Sequence, residues 1–193
     1  MSITPEEAWE QESYDRLVDE ILRDYSDQII DEFFSKRIAF YYSNSPHLLD
    51  PASDAHREAS ALKIHSNSAC VVFSSTVVEI VFRDAILGPI LVGMAHDDEK
   101  GKLIAKLIIS AGRTDKFIVS ILKTYGMDLE EEETEFSSQS IWSEFKALRE
   151  KRNGILHKGE KVSADDASKA LNFSAYILNE FFPKLRDRLI SKC

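Results

Sequence analysis

One stretch of the sequence, residues 69–82 (ACVVFSSTVVEIVF), restricts the fold more than any other. The polar exceptions in it are Ser74, Ser75, Thr76 and Glu79. A helix formed here is apolar on most of its faces, so it must be buried at the centre of a helical bundle or of a dimer. The polar residues make the run too hydrophilic to span a bilayer. Because the run is rich in valine, a buried strand is the alternative interpretation.

The rest of the chain has a helical pattern. Only 7 glycines and 5 prolines occur in 193 residues, which favours long regular elements. Apolar residues at helical spacing and cap residues predict helices over residues 5–43, 54–87, 98–110, 114–125, 138–157 and 163–190. The predicted fold is therefore an all-α bundle of five or six helices. We expect residues 1–50 to form an N-terminal helical appendage and residues 51–193 the main domain.

Local signals predict where several helices begin and end. Asp54 is the expected N-cap of the second helix, and Gly88–Pro89 its expected end. Gly126 should end the fourth helix. Ser163, with Asp166 three residues on, predicts a capping box at the start of the last helix. Pro183 should kink that helix.

Charge is unevenly distributed along this acidic chain. The net charge is −9 and the pI about 5.1, which disfavours general coating of nucleic acid. Residues 128–138 (DLEEEETEFSS) are expected to be a solvated acidic loop. Residues 146–161 instead contain six bases and two acids, a net charge of +4. A local basic cleft is therefore compatible with the overall acidity.

Several classes of protein have no support in the sequence. Two cysteines, Cys70 and Cys193, offer neither a disulfide framework nor zinc-ligand spacing. No signal peptide is recognisable at the N-terminus. We expect a cytoplasmic protein with no cofactor, no metal and no membrane partner.

The basic segment contains KRNGILHKG, in which Arg152 is followed by Asn153 and, after four intervening residues, by His157. The motif falls where a helix is expected to end, so its side chains need not stay on one helical cylinder. The alternative is purely structural. Cations near a helix C-terminus complement its dipole, and Gly154 and Gly159 would then be turn residues.

The segment ALREKRNGILHKGEKVSADDASKAL resembles the signature of the HEPN superfamily (higher eukaryotes and prokaryotes nucleotide-binding domains). The order of a long buried helix, a motif-bearing helix and a long final helix is also similar, and the resemblance covers residues 54–190. It implies a homodimer in which two motifs face each other across a cleft. Many members are metal-independent endoribonucleases, often toxins or antiviral effectors, with an antitoxin or another defence protein as a partner. Others are catalytically silent and act as assembly or RNA-binding modules.

One position departs from the pattern of some toxin members of that superfamily. They carry a tyrosine two residues after the histidine, as the target of a nucleotidyl-transferring antitoxin. This chain has Gly159 there. Control by that modification is therefore not expected.

The residue types of the motif suit metal-independent RNA cleavage. Histidine titrates near neutral pH, so His157 can act as base or acid, and two copies in a dimer can divide these roles. Arg152 can fork onto phosphate oxygens, and Asn153 can hold phosphate or orient the histidine. The bases expected to attract RNA are Arg149, Lys151, Lys158 and Lys161.

Glu79, in the most apolar helix, is the candidate carboxylate that supports this site, because an unpaired buried carboxylate is costly. The alternative is a helical ion pair with Arg83, four residues on. The hypothesis is an endoribonuclease that needs the 2′-hydroxyl of RNA. The alternatives are a silent HEPN-like module that binds a partner or a nucleotide, and a generic helical adaptor.

Overall fold

The computed structural model describes residues 32–95, 114–134 and 137–191, together with Arg16, Leu103, Ile104 and Leu107. The greater parts of the helices expected over residues 5–43 and 98–110 lie outside the described residues. No helix among the described residues is long and apolar enough to cross a membrane.

Within these ranges the chain is almost entirely helical, and the predicted all-α bundle is confirmed. The helices are α1 (Glu32–Asn44), α2 (Asp50–Leu62), α3 (Asn67–Ile80), α4 (Gly88–Ala95), α5 (Thr114–Thr124), α6 (Ile141–Lys158), α7 (Ala164–Tyr176) and α8 (Phe182–Ser191). Two π-helical segments, Val81–Leu87 and Ile177–Phe181, join α3 to α4 and α7 to α8. A short antiparallel pair, β1 (Glu133–Thr134) and β2 (Ser137–Ser140), precedes α6.

Helix α3 lies at the centre of the bundle, packed against α2, α6 and α7. Its side chains Cys70, Val71, Val77 and Val78 are fully buried. Apolar residues on most faces of this helix are thus covered by neighbouring helices, as the pattern predicted. The strand alternative for residues 69–82 is wrong.

The expected stop at Gly88–Pro89 is wrong, because the chain remains helical through it to Ala95. Proline has no backbone N–H and clashes with an ordinary preceding helical turn. The π-helical segment Val81–Leu87 widens the helix just before Pro89, and the Gly88 N–H bonds the carbonyl of Arg83. A second π-helical segment precedes Pro183, where a kink was expected, and the helix resumes at once as α8. Both prolines therefore follow a widened turn.

The expected N-cap at Asp54 is also wrong. Helix α2 begins at Asp50, with Pro51 in its first turn, where the missing N–H costs nothing. Asp54 lies within the helix, and its carboxylate accepts from Arg57 at 2.8 Å. The predicted long helix is also interrupted before α3, where Ser66 accepts from the Ala69 N–H as N-cap.

The acidic segment is more ordered than a solvated loop. It contains β1, and Leu129 within it is fully buried in the core. Helix α6 begins later than residues 137–138, with Ser140 as its N-cap. Two other expected boundaries are confirmed: Gly126, with φ of 74°, follows the end of α5, and Ser163 with Asp166 forms the capping box of α7.

The described part of the N-terminal segment packs on the main bundle. Helix α1 contacts α4 and α8, and Ile38 is fully buried in the common core. The Tyr42 hydroxyl donates to the carbonyl of Ala85, 2.8 Å away, in the first π-helical segment. This bond gives a partner to a carbonyl in a stretch where the ordinary helical pattern is interrupted.

Candidate functional site

Helix α6 carries the whole Arg–Asn–His motif. It continues to Lys158 and ends at Gly159, whose left-handed conformation (φ 65°) closes the last turn. Arg152 and His157 therefore both lie on a regular helix, about 140° apart around its axis and about 7.5 Å apart along it. The predicted helix end near residue 157 allowed these side chains to leave the helical cylinder, but both stay on it because the helix ends only after His157.

Arg152 lies on the side of α6 that meets α3. Its Nη1 is 3.9 Å from Glu79 Oε1 and donates to Asn153 Oδ1 at 3.3 Å. The Nε atom is buried and has no hydrogen-bond partner among the residues that the structure describes. The guanidinium is thus held at the edge of the core by a loose ion pair, with part of its hydrogen-bonding capacity unused.

Glu79 pairs with Arg152, and its charge also acts on Arg83 without forming a close ion pair with it. Its Oε1 also accepts a hydrogen bond from the Ser75 hydroxyl at 3.3 Å. Arg83 directs Nε and Nη2 to the two carboxylate oxygens of Asp84, each at 2.7 Å. Chiefly this hydrogen bonding to Asp84 raises the pKa of Arg83. The ion pair of Glu79 therefore joins α3 to α6, while the helical interaction of Glu79 with Arg83 is a longer-range one.

His157 lies in the last turn of α6 and is exposed. Asn153, four residues earlier, is also exposed and lies on nearly the same face, about 40° away. The structure thus brings Arg152 to Glu79 and Asn153, whereas no contact between Arg152 and His157 is found among the described residues.

The flanking bases are largely engaged by carboxylates. Arg149 Nη2 lies 2.5 Å from Asp115 of α5, its guanidinium lies over the Phe145 ring, and the Asp115 hydrogen bond raises the pKa of Arg149. Lys151 pairs with Asp166 of α7. Lys158 lies 3.8 Å from Glu160, and Lys161 is exposed. The net positive charge of the segment is therefore partly offset by acids, two of them from other helices.

A cleft of about 230 Å³ opens beside the Arg152–Glu79 pair, between α3, the first π-helical segment, α5 and α6. Its lining residues are Glu79, Phe82, Arg83, Asp115, Ile118, Phe145 and Arg149. Sequence reasoning identified only Glu79 and Arg149 for the site. Asp115 and the apolar floor were missed, because they reach the cleft by tertiary packing and no local spacing signals it.

Comparisons with protein-family models, with curated proteins and with solved structures found no match to this chain. The geometry above and the motif itself are therefore the basis for the function proposed below.

Proposed function

We propose that this protein is a metal-independent endoribonuclease that acts as a homodimer, as its resemblance to the HEPN superfamily implies. The observation that carries the proposal is the placement of Arg152. An arginine lies beside a cleft, paired with Glu79 of the cleft wall, on the helix that ends with an exposed histidine. Arginine in such a position is suited to grip a phosphate through two parallel hydrogen bonds.

The reaction needs a base, a cation and an available 2′-hydroxyl. His157 takes the proton of the 2′-hydroxyl, whose oxygen attacks the adjacent phosphorus. Arg152 stabilises the charge that grows on the phosphate oxygens, and Asn153 holds the phosphate or orients Arg152. The bond from phosphorus to the 5′-oxygen breaks, and that oxygen gains a proton from water. The products are a 2′,3′-cyclic phosphate and a 5′-hydroxyl.

The separation of Arg152 and His157 around α6 supports a site shared between two copies. One helix presents these two residues about 140° apart, an arrangement that suits a site to which one chain contributes Arg152 and the other His157. In a two-fold dimer, Arg152 of one copy and His157 of the other form each site, and the pair of sites is equivalent by symmetry.

The RNase activity fits a toxin or an antiphage effector in the cytoplasm, a role that rests on the superfamily resemblance alone. Such a protein needs control by an antitoxin or another defence protein. The exposed bases Lys158 and Lys161 provide a field that attracts RNA. Lys151 contributes to it when RNA phosphates compete with Asp166 for its ammonium group, while Arg149 stays paired with Asp115 at the wall of the cleft.

The ion pairs of α6 favour a second candidate, a catalytically silent module that dimerises and binds a partner protein. Arg149 and Lys151 are already paired with carboxylates of neighbouring helices. Charges that are already paired within the protein attract RNA weakly. Such pairs are typical of residues that stabilise the fold. The two candidates differ in whether RNA is cleaved.

The deciding experiment incubates the purified protein with total RNA in EDTA, beside Arg152→Ala and His157→Ala. Arg57→Ala and His65→Ala are matched controls, since both residues are exposed and lie outside the site. We expect 2′,3′-cyclic ends from the wild type and both controls, and a loss of about 100-fold or more in each motif variant. No cleavage by concentrated, verified dimer would favour the silent module.

A further inference from the structure

The cleft beside Arg152 is small. At about 230 Å³ it lies below the ~300–1000 Å³ of typical ligand pockets. It therefore accommodates a single ring system and not a complete cofactor.

The walls of the cleft combine an apolar floor with a charged rim. Phe82, Ile118 and Phe145 are almost fully buried and form the floor. Two carboxylates, Glu79 and Asp115, and two guanidiniums, Arg83 and Arg149, form the rim. These charges cancel, so the cleft has no preference for a phosphate. A flat, uncharged ring with polar edges suits it better.

Arg149 gives the cleft a planar surface. Its guanidinium is fixed on one side by the Phe145 ring, 5.4 Å from the ring centroid, and at its end by Asp115. Guanidinium planes held in this way stack on nucleobases that are turned out of the helical stack.

Glu79 supplies the hydrogen-bond acceptor. Its Oε1 accepts a hydrogen bond from the Ser75 hydroxyl and lies 3.9 Å from Arg152 Nη1. No hydrogen bond to Oε2 is found among the described residues. An ionised carboxylate only accepts hydrogen bonds, and its two oxygens have capacity for two donors side by side. Guanine is the RNA base that offers two adjacent donors, N1–H and the 2-amino group, on one edge. Adenine, cytosine and uracil offer one donor group there.

We propose that this cleft binds a guanine base of the RNA substrate, with Glu79 accepting from N1–H and the 2-amino group and Arg149 stacking on the ring. The inference rests on the proposed ribonuclease function, and it adds a base preference to it. Since Arg152 lies 3.9 Å from the same carboxylate, the bound guanine is adjacent to the phosphate that is cleaved. Glu79 is then the residue that determines specificity.

The first test measures the binding of nucleotides and does not depend on RNA cleavage. The wild-type protein is titrated with guanosine, inosine, adenosine, cytidine and uridine 5′-monophosphates, and binding is followed by amide chemical shifts. We expect guanosine monophosphate to bind about tenfold or more tightly than the adenosine, cytidine and uridine forms, from the second hydrogen bond. Inosine monophosphate, which lacks only the 2-amino group, should lose a large part of that advantage.

Two carboxylate-to-amide variants complete the test. Glu79→Gln replaces one acceptor by a donor, so the preference for guanosine over inosine monophosphate should disappear. Glu58→Gln, an exposed control on α2, should keep it. Equal binding of all five nucleotides by the wild type would overturn the inference.

Cleavage-site sequences separate the inference from the function on which it rests. The ribonuclease and the guanine pocket are both supported if the wild type cleaves random RNA with guanine enriched beside the cut and Glu79→Gln lowers that enrichment about tenfold. Cleavage with no guanine enrichment would overturn the base pocket and leave the nuclease intact. Selective binding of guanosine monophosphate without any cleavage would support the pocket and contradict the nuclease.

Discussion

Arg152 is a residue whose contacts contribute little to the stability of the fold. Its buried Nε lacks a partner among the described residues, and an unsatisfied buried donor costs about 1–3 kcal/mol. Its ion pair with Glu79 is long, at 3.9 Å, and both side chains are about one-third exposed. The pair therefore contributes little to the free energy of unfolding.

We therefore expect Arg152→Met to leave the free energy of unfolding within about 1 kcal/mol of the wild type while RNA cleavage is lost. Urea denaturation followed by circular dichroism measures the first quantity. A loss of stability well above 2 kcal/mol would show that Arg152 serves chiefly to hold α3 and α6 together.

Asp166, in contrast to Arg152, is a residue that stabilises the fold. It receives hydrogen bonds from Lys151 and from the N–H and hydroxyl of Ser163, which lower its pKa to about 2. Because the folded-state pKa is depressed, the stability that this carboxylate contributes is present above pH 4 and is lost as the pH falls towards 2.

Asp166→Asn should therefore cost about 1 kcal/mol of unfolding free energy at pH 6, and the difference from wild type should shrink towards pH 2. Urea midpoints over that pH range provide the measurement. Asp165→Asn is the matched control, since its pair with Lys169 is largely exposed and should matter little at any pH. If Asp166→Asn differed from the wild type in unfolding free energy by the same amount at every pH, the ionised carboxylate would not be the source of this stability.

At the scale of elements, helix α6 has one glycine within it, Gly154, and another at its C-terminal end, Gly159, and the two have different roles. Gly159 has a positive φ, which an alanine tolerates poorly. Gly154 is a buried residue within the helix, and a Cβ there would overlap only the carboxylate end of Glu160, a half-exposed and flexible side chain.

Gly159→Ala should therefore destabilise the protein by about 1 kcal/mol, whereas Gly154→Ala should be neutral or stabilising by about 0.5 kcal/mol, because alanine favours helix. Thermal and urea unfolding of the two variants rank them. The reverse order would mean that Glu160 cannot move aside and that the turn after α6 depends on its position.

Sequence reasoning succeeded at this scale where the signal is local. The Ser163–Asp166 capping box and the stop at Gly126 depend on residues a few positions apart, and both are confirmed. The stop at Gly88–Pro89 failed because a π-helical turn accommodates the proline, and no pattern distinguishes that outcome from a helix end. The N-cap at Asp54 failed because Pro51 fits the first turn of α2, so that helix begins earlier, at Asp50.

The candidate site was predictable only in part for the same reason. Arg152 and His157 were found from their spacing along the chain. The pairs Arg152–Glu79 and Arg149–Asp115 join residues far apart in sequence, and one sequence without tertiary information does not reveal which carboxylate meets which arginine.

At the scale of the whole molecule, the described N-terminal helix is joined to the core by more than apolar contact. The Tyr42 hydroxyl donates to Ala85, and burial raises the pKa of that hydroxyl strongly. Tyr42→Phe should lower the free energy of unfolding by about 1 kcal/mol with a single cooperative transition, because a buried carbonyl loses its donor. A separate early transition would show that α1 unfolds independently.

The central claim concerns two copies: Arg152 of one chain and His157 of the other form one site. Its most direct test mixes Arg152→Ala and His157→Ala proteins, each inactive alone, under conditions that exchange subunits, with native mass spectrometry to verify heterodimers. A heterodimer then contains one site with both residues intact. Random mixing should restore about a quarter of wild-type cleavage of RNA in EDTA, since half of the dimers carry one of two sites. A mixture that contains verified heterodimers and remains inactive would contradict the shared site.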